Sequence, residues 1–155
     1  MLAPSHAMQL TLAGMWDRVD RPAAALTSYD AWLRAHPEDV HRANALNGRC
    51  WARAQLNREL DIALADCNAA LKLAPDRAAY LDSRALVRLR RGELDAALAD
   101  YDSALRLEPR MAWSLYARAL AAARKGRAEQ AARDRAAALA IEPRVAERAR
   151  RIGLE

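Results

Sequence analysis

Pro75, Pro109 and Pro143 stand 34 residues apart, and the residues that precede them repeat in register. Ala63, Ala70, Leu71 and Leu73 precede the first, Ala97, Ala104, Leu105 and Leu107 the second, and Ala131, Ala138, Leu139 and Ile141 the third. A fixed period of this length marks a stack of similar supersecondary units, none of which buries its apolar face alone. Within one unit, Leu94, Leu98, Tyr101, Leu105 and Leu107 follow the spacing of an amphipathic helix. Gly92 and Gly126 stand where a preceding helix should end, and Asn57 can take the same left-handed conformation. Asp20-Arg21-Pro22 closes an earlier helix, with Pro22 opening the next. The prolines that set the period follow each second helix and stop its continuation. The chain therefore reads as an array of helix pairs, an architecture that offers an extended surface rather than a buried catalytic pocket.

The unit resembles the tetratricopeptide repeat (TPR), a helix–turn–helix with small residues at positions 8, 20 and 27 and Pro at position 32. With Pro109 as position 32, Ala85, Ala97 and Ala104 occupy the small sites, and Ala119, Ala131 and Ala138 do so before Pro143. Before Pro75 the sites hold Trp51, Ala63 and Ala70, so the largest side chain replaces a small one. Counting back from Pro37 recovers an earlier copy with Ala13, Ala25, Tyr29 at position 24 and a deviant Trp32 at position 27. The resemblance implies an all-α TPR solenoid in a single domain spanning 1–155. It implies four helix–turn–helix repeats, 6–39, 44–77, 78–111 and 112–145, in a right-handed superhelix with a short C-terminal capping helix in 146–155. Val40–Ala43 is then an insertion. It lacks Gly and Pro and follows Glu38 and Asp39, so it is expected to lengthen the next helix by about one turn.

The net charge is +5, carried almost entirely by Arg, with Asp and Glu interleaved on most helices. That pattern suits solvated, salt-bridged faces. With no Phe and four Tyr, platforms for base stacking are sparse, so weak nucleic-acid binding through Arg-rich surface is the least favoured function. No run of about eighteen apolar residues occurs, so no membrane span is expected. Met1–Asp20 lacks a basic leader with an apolar stretch, which points to the cytoplasm by default and leaves the periplasm open if a signal lies upstream.

Arg84 and Arg118 occupy position 7 of their repeats, and Asp66, Asp100 and Asp134 occupy position 23. Recurrence with the period makes this architecture rather than chemistry: Arg forks suit partly buried carboxylates. Cys50 and Cys67 fall at positions 7 and 24, facing across one helix pair. They read as small core residues with free thiols, close enough to join, within about 7 Å between α-carbons, if the chain is exported. His6, His36 and His41 lie near turns with no ligand spacing, and no nucleophile–base pair stands out. Neither a metal, a cofactor nor an enzymatic activity is expected. Trp16 and Trp32 are expected in the core, whereas Trp51 should splay its two helices unless a neighbour shrinks to compensate.

In the TPR family, positions 2, 5, 9, 12 and 13 of each first helix line the concave groove. The resemblance places Ala7, Leu10, Gly14, Asp17 and Arg18, then Ala45, Gly48, Ala52, Gln55 and Leu56, on a small-residue half. It places Asp82, Leu86, Leu89 and Arg90, then Trp113, Tyr116, Leu120 and Arg124, on an apolar half rimmed by Arg. Apolar anchors beside cations suit a peptide with hydrophobic and acidic side chains. This implies a scaffold that binds a partner protein's peptide or tail, with an exposed Trp113 as a contact. The competing expectation is that a helix within Val145–Ile152 folds over the same face. The family's carboxylate clamp is absent: its positions hold Leu10, Gly14, Arg49, Ala79 and Ser83, or Gly48, Ala52, Ser83, Trp113 and Ala117. Met8 and Met15 occupy positions that face a preceding repeat, so this face should be covered by Met1–Ser5, an upstream domain, a partner or a second copy. Oligomerisation or docking there is the alternative function.

Overall fold

The computed structural model describes residues 5–155, and among them every regular element is a helix. α1 (His6–Arg18), α2 (Pro22–Ala35), α3 (Arg42–Leu56) and α4 (Leu60–Leu73) belong to one compact unit that ends at Pro75. α5 (Ala78–Arg90), α6 (Leu94–Leu107), α7 (Ala112–Arg124), α8 (Ala128–Ile141) and the short α9 (Val145–Arg151) form a second unit that begins at Asp76. Consecutive helices pack on one another within each unit, and α9 lies on α7 and α8. The all-α repeat architecture implied by the 34-residue period is the one observed.

Small residues set the helix spacing. Ala25, Ala63, Ala70, Ala85, Ala97, Ala104 and Ala138 are fully enclosed, and Tyr29, Leu26, Tyr101 and Leu98 fill the space between the backbones they bring together. Gly92 and Gly126 both take φ +77°, the left-handed cap that ends α5 and α7. Gly48 serves a different purpose. A Cβ there would sit 2.2 Å from the Tyr29 ring, so only glycine lets that ring lie against α3.

In α3 the burial pattern runs one residue ahead of the period. Cys50, not Trp51, takes the fully buried small site, and Trp51 is half-buried, so the expected splaying of α3 from α4 does not arise. The cause lies in the turn. The period pairs Gly92 with Arg58, yet the left-handed cap falls at Asn57, and Glu59 also adopts positive φ. One residue thus moves from the helix into the turn. The insertion behaves in a related way: Val40 and His41 form a turn, and only Arg42 and Ala43 extend α3. Asp39 Oδ1 accepts the His41 N–H at 2.8 Å, a local bond that competes with helix formation.

α4, α6 and α8 each bury one carboxylate, and the preceding helix grips it with a two-toothed Arg fork. Arg49 donates to Asp66 at 2.7 and 2.8 Å, Arg84 to Asp100 at 2.8 and 2.8 Å, and Arg118 to Asp134 at 2.7 and 2.8 Å. A further Arg one helical turn on, Arg53 or Arg88, adds a bond of 2.9 or 2.8 Å to Asp66 or Asp100. Arg49 and Arg118 also reach back to Asp30 and Asp102 on the helix before. The recurrent Arg–Asp pairing is architectural, with Arg49 standing in for the offset register of α3.

Cys50 and Cys67 are joined by a disulfide with α-carbons 5.6 Å apart, against the expectation of free thiols; both are fully buried between α3 and α4. Trp32 is core, donating its Nε1–H to His6 O at 2.8 Å. Trp16 is not: it remains 40% exposed on the outer face of α1, where no further helix among the described residues of this unit covers it.

Two stability measurements follow from these contacts. Asp100→Ala leaves the Arg84 and Arg88 guanidiniums facing a site without its carboxylate, so chemical denaturation should show a loss of about 3–5 kcal/mol. Removal of the exposed Asp95 carboxylate should be nearly silent; equal effects would refute a structural role for the buried forks. Thiol titration of unfolded, unreduced protein should find no free thiol, and reduction should cost about 3 kcal/mol, the entropy of opening a loop of 17 residues. Two titratable thiols would mean that the bond does not form.

Candidate functional site

The α5–α7 face brings together the residues of the apolar half: Asp82, Leu86 and Leu89 from α5, with Trp113 and Tyr116 from α7, all buried. Leu120 and Arg90 are partly covered and Arg124 is exposed. The expectation of an exposed Trp113 is corrected. Its side chain is 6% exposed, because the guanidinium of Arg148 on α9 lies 4.7 Å over the ring. Val145 and Ala149 are fully buried on the inner side of α9, while its Arg150 and Arg151 face solvent. The helix anticipated within Val145–Ile152 does cover this face.

The four residues after α9 continue along it. Gly153 takes φ +69°, and Leu154 turns inward and is buried. Arg90 donates to the carbonyls of Ile152 and Gly153, the latter at 3.2 Å, and Arg124 to the carbonyl of Leu154 at 3.1 Å. The Glu155 carboxylate accepts from Tyr116 Oη and from Arg135 Nη1, each at 2.7 Å. Arg135 also stacks 5.0 Å over the Tyr116 ring. The face thus holds a short stretch of polypeptide by its backbone carbonyls, one aliphatic side chain and one carboxylate.

Electrostatics follow from this arrangement. Burial pushes the Tyr116 hydroxyl up to about 12, and its bond to Glu155 adds to the shift. Burial opposes ionisation of Glu155, but the bonds from Arg135 and Tyr116 outweigh it and hold its carboxyl below the usual range. Arg90 is lowered by burial and then by repulsion from Arg124, so two guanidiniums converge on neutral carbonyl oxygens. Beneath them Asp82 accepts a short hydrogen bond from Ser114 Oγ across the α5–α7 contact. Burial raises its carboxyl to about 6, against the pull of Ser114 and Arg148.

Sequence reasoning missed Leu154, Glu155 and Arg135 as parts of this site. A signal existed for Arg135, which stands at position 24 where Tyr29 and Tyr101 fill the core. The small-residue half lies in the other unit. There Leu10, Ala45, Gly48, Ala52 and Gln55 are buried, and a cleft of about 330 Å³ opens beside Gly14, Arg18 and Tyr29. On the outer face of that unit Met8 and Met15 are 56% and 47% exposed. Leu12, Met15, Trp16, Val19 and Trp32 line an apolar cleft of about 710 Å³. Residues 1–4 of the segment expected to fold over this face lie outside the described residues. Among the described residues no cluster of His, Cys, Asp or Glu forms a metal-sized site, and no helix is long and apolar enough to cross a membrane.

No protein-family profile matches the chain, and no curated relative does. Solved structures match it closely in shape. The thermophilic TPR protein TTC0263 of Thermus thermophilus superposes with a TM-score of 0.77 at 23% identity, over 96% of this chain and 84% of that one. MamA gives a TM-score of 0.68 at 22% identity, over 92% and 81%. The first TPR of Spaghetti (RPAP3), bound to the HSP90 peptide SRMEEVD, gives 0.65 at 19% identity, over 78% and 95%. The chain has the tetratricopeptide-repeat fold.

The buried Asp82 makes a pH test available. Its carboxyl titrates higher in the folded chain than in the unfolded one, so the folded state holds the extra proton between about pH 4 and 6. Stability from this group is greatest below that window and falls as pH rises through it. Asp82→Asn should therefore raise stability at pH 8 by about 1–3 kcal/mol, with the gain shrinking toward pH 4. A uniform loss at all pH values would show that the charge itself is required.

Proposed function

We propose that this chain is a protein-interaction scaffold whose α5–α7 face receives a short peptide segment of a partner protein. The observation that carries this reading is the occupant already there: residues 152–155 lie on the face and are held through groups any peptide possesses. Backbone carbonyls are read by Arg90 and Arg124, which suits recognition of an extended chain largely independent of its sequence. An apolar site for Leu154 and a cationic one for Glu155 add selectivity. A solved neighbour of the same fold binds a peptide, which lends the reading support. The clamp residues for that kind of acidic tail are absent here, so the same ligand is not proposed.

A second reading, docking or self-association through the outer face of α1 and α2, is favoured by the apolar cleft around Met15 and Trp16. An exposed patch of this kind usually marks interaction. Nucleic-acid binding draws no such support, because Arg49, Arg53, Arg84, Arg88 and Arg118 are already engaged with buried or partly buried carboxylates. Charges so committed contribute little to a phosphate-binding field.

Partner capture from the source cell separates the two surfaces. Arg90→Ala with Arg124→Ala should weaken capture by about 2 kcal/mol or more, the scale of interface hot spots. The loss should be larger at low salt. Arg18→Ala should change nothing, and circular dichroism should show intact helices throughout. If capture survives the double substitution but is lost in Met15→Lys, the outer α1–α2 face is the interface.

A further inference from the structure

Resting on that peptide-binding reading, we propose that the segment 152–155 is a built-in, displaceable mimic of the partner, which must present an aliphatic side chain followed by a carboxylate side chain. Four observations carry this. Leu154 is the one residue of the segment whose side chain is enclosed, while Gly153 and Glu155 flank it at the surface. The Glu155 carboxylate is held by two converging donors, Tyr116 Oη and Arg135 Nη1. Arg135 occupies the repeat position that elsewhere carries a core Tyr, so the protein has exchanged packing for a cation at this point. Finally, Arg90 and Arg124 repel one another while converging on carbonyl oxygens, which are neutral acceptors. A partner carrying additional negative charge near these guanidiniums would therefore out-compete the resident segment.

The segment is also built to leave. Its attachment depends on a left-handed Gly153, where an added Cβ would meet no atom within 4 Å, so the turn is set by backbone freedom rather than by packing. The helix that delivers it, α9, has only seven residues and three of its side chains buried. Short elements with few enclosed side chains open at low cost relative to the core. Binding of a partner then competes with closure, and its apparent affinity is reduced by the fraction of molecules in which the segment is seated.

The test uses the full chain and an unlabelled peptide with the sequence of residues 151–155, acetylated and amidated so that its terminal groups carry no charge, with binding read by isothermal titration calorimetry. Two variants unseat the segment by different routes: Leu154→Ala with Glu155→Ala removes its contacts, and Gly153→Val disfavours its turn while leaving them. Both should bind the peptide at least about tenfold more tightly than the unaltered chain, which corresponds to an open fraction of about one-tenth or less. Adding Arg90→Ala and Arg124→Ala to either variant should abolish the gain, and a peptide with Leu replaced by Ala and Glu by Gln should bind at least about tenfold more weakly. If the unaltered chain and both variants bind the peptide equally, and the Arg substitutions still abolish binding, the latch is refuted while peptide recognition stands. If no form binds although hydrogen exchange shows the segment released, both the latch and the peptide-binding reading fail.

Discussion

A buried carboxylate on α4, α6 and α8 imposes the constraint around which these three helix pairs are arranged. Asp66, Asp100 and Asp134 are almost fully withdrawn from water, and an isolated carboxylate in that setting would be strongly disfavoured. Each is offset by a planar guanidinium that presents two parallel donors, a geometry that fixes both the distance and the rotation of one helix against the other. The enclosed alanines allow close approach, but a small-residue contact tolerates sliding. The fork does not. It also explains why α3 can run one residue out of step with the period and still pair correctly: Arg49 and Arg53 moved together, keeping one helical turn between them, so Asp66 meets the same two teeth.

Where the period breaks, the structure uses the break. At Asn57 and Glu59 two left-handed residues absorb the shift of α3, and the buried small site passes from Trp51 to Cys50. That shift is what sets Cys50 opposite Cys67 with α-carbons 5.6 Å apart. At Arg135 the break has the opposite character. A residue that would fill the core is replaced by a cation that reaches out over Tyr116 to Glu155, so this helix pair is closed by a polar contact rather than by another layer of apolar side chains.

The fold was legible because its determinants are periodic. Proline spacing, enclosed alanines and the Arg–Asp recurrence all repeat, so an error in one copy is corrected by the others. What was not legible depended on single, non-repeated residues. Trp113 falls at a position that lines a groove, and nothing in the period says that Arg148 will lie over it. Leu154 and Glu155 follow the last repeat and carry no periodic mark. Trp16 has the spacing of a core residue, yet burial requires a neighbour on the far side of α1, and among the described residues of this unit none is there. Asp39 ended the expected helix extension through one side-chain bond to His41, a local competition that residue type allows but does not dictate.

The two candidate interaction surfaces differ in the kind of side chain that helix packing leaves at each. On the α5–α7 face the groups left over from helix pairing are polar and directional: two guanidiniums, a phenol and Arg135, all turned toward one short segment. Their convergence suits an occupant with carbonyls and a carboxylate, and a peptide offers both along one edge. On the outer face of α1 and α2 the leftover groups are Met8, Leu12, Met15, Trp16 and Val19. These side chains are adaptable and carry little directional information, so they fit any apolar surface of the right shape. Directional hydrogen bonding of the first kind suits selectivity, and apolar surface of the second kind suits bulk affinity. The proposed selective recognition therefore fits the α5–α7 face, where an occupant that lacked either feature would forgo the hydrogen bonds that Arg90, Arg124, Tyr116 and Arg135 direct toward it.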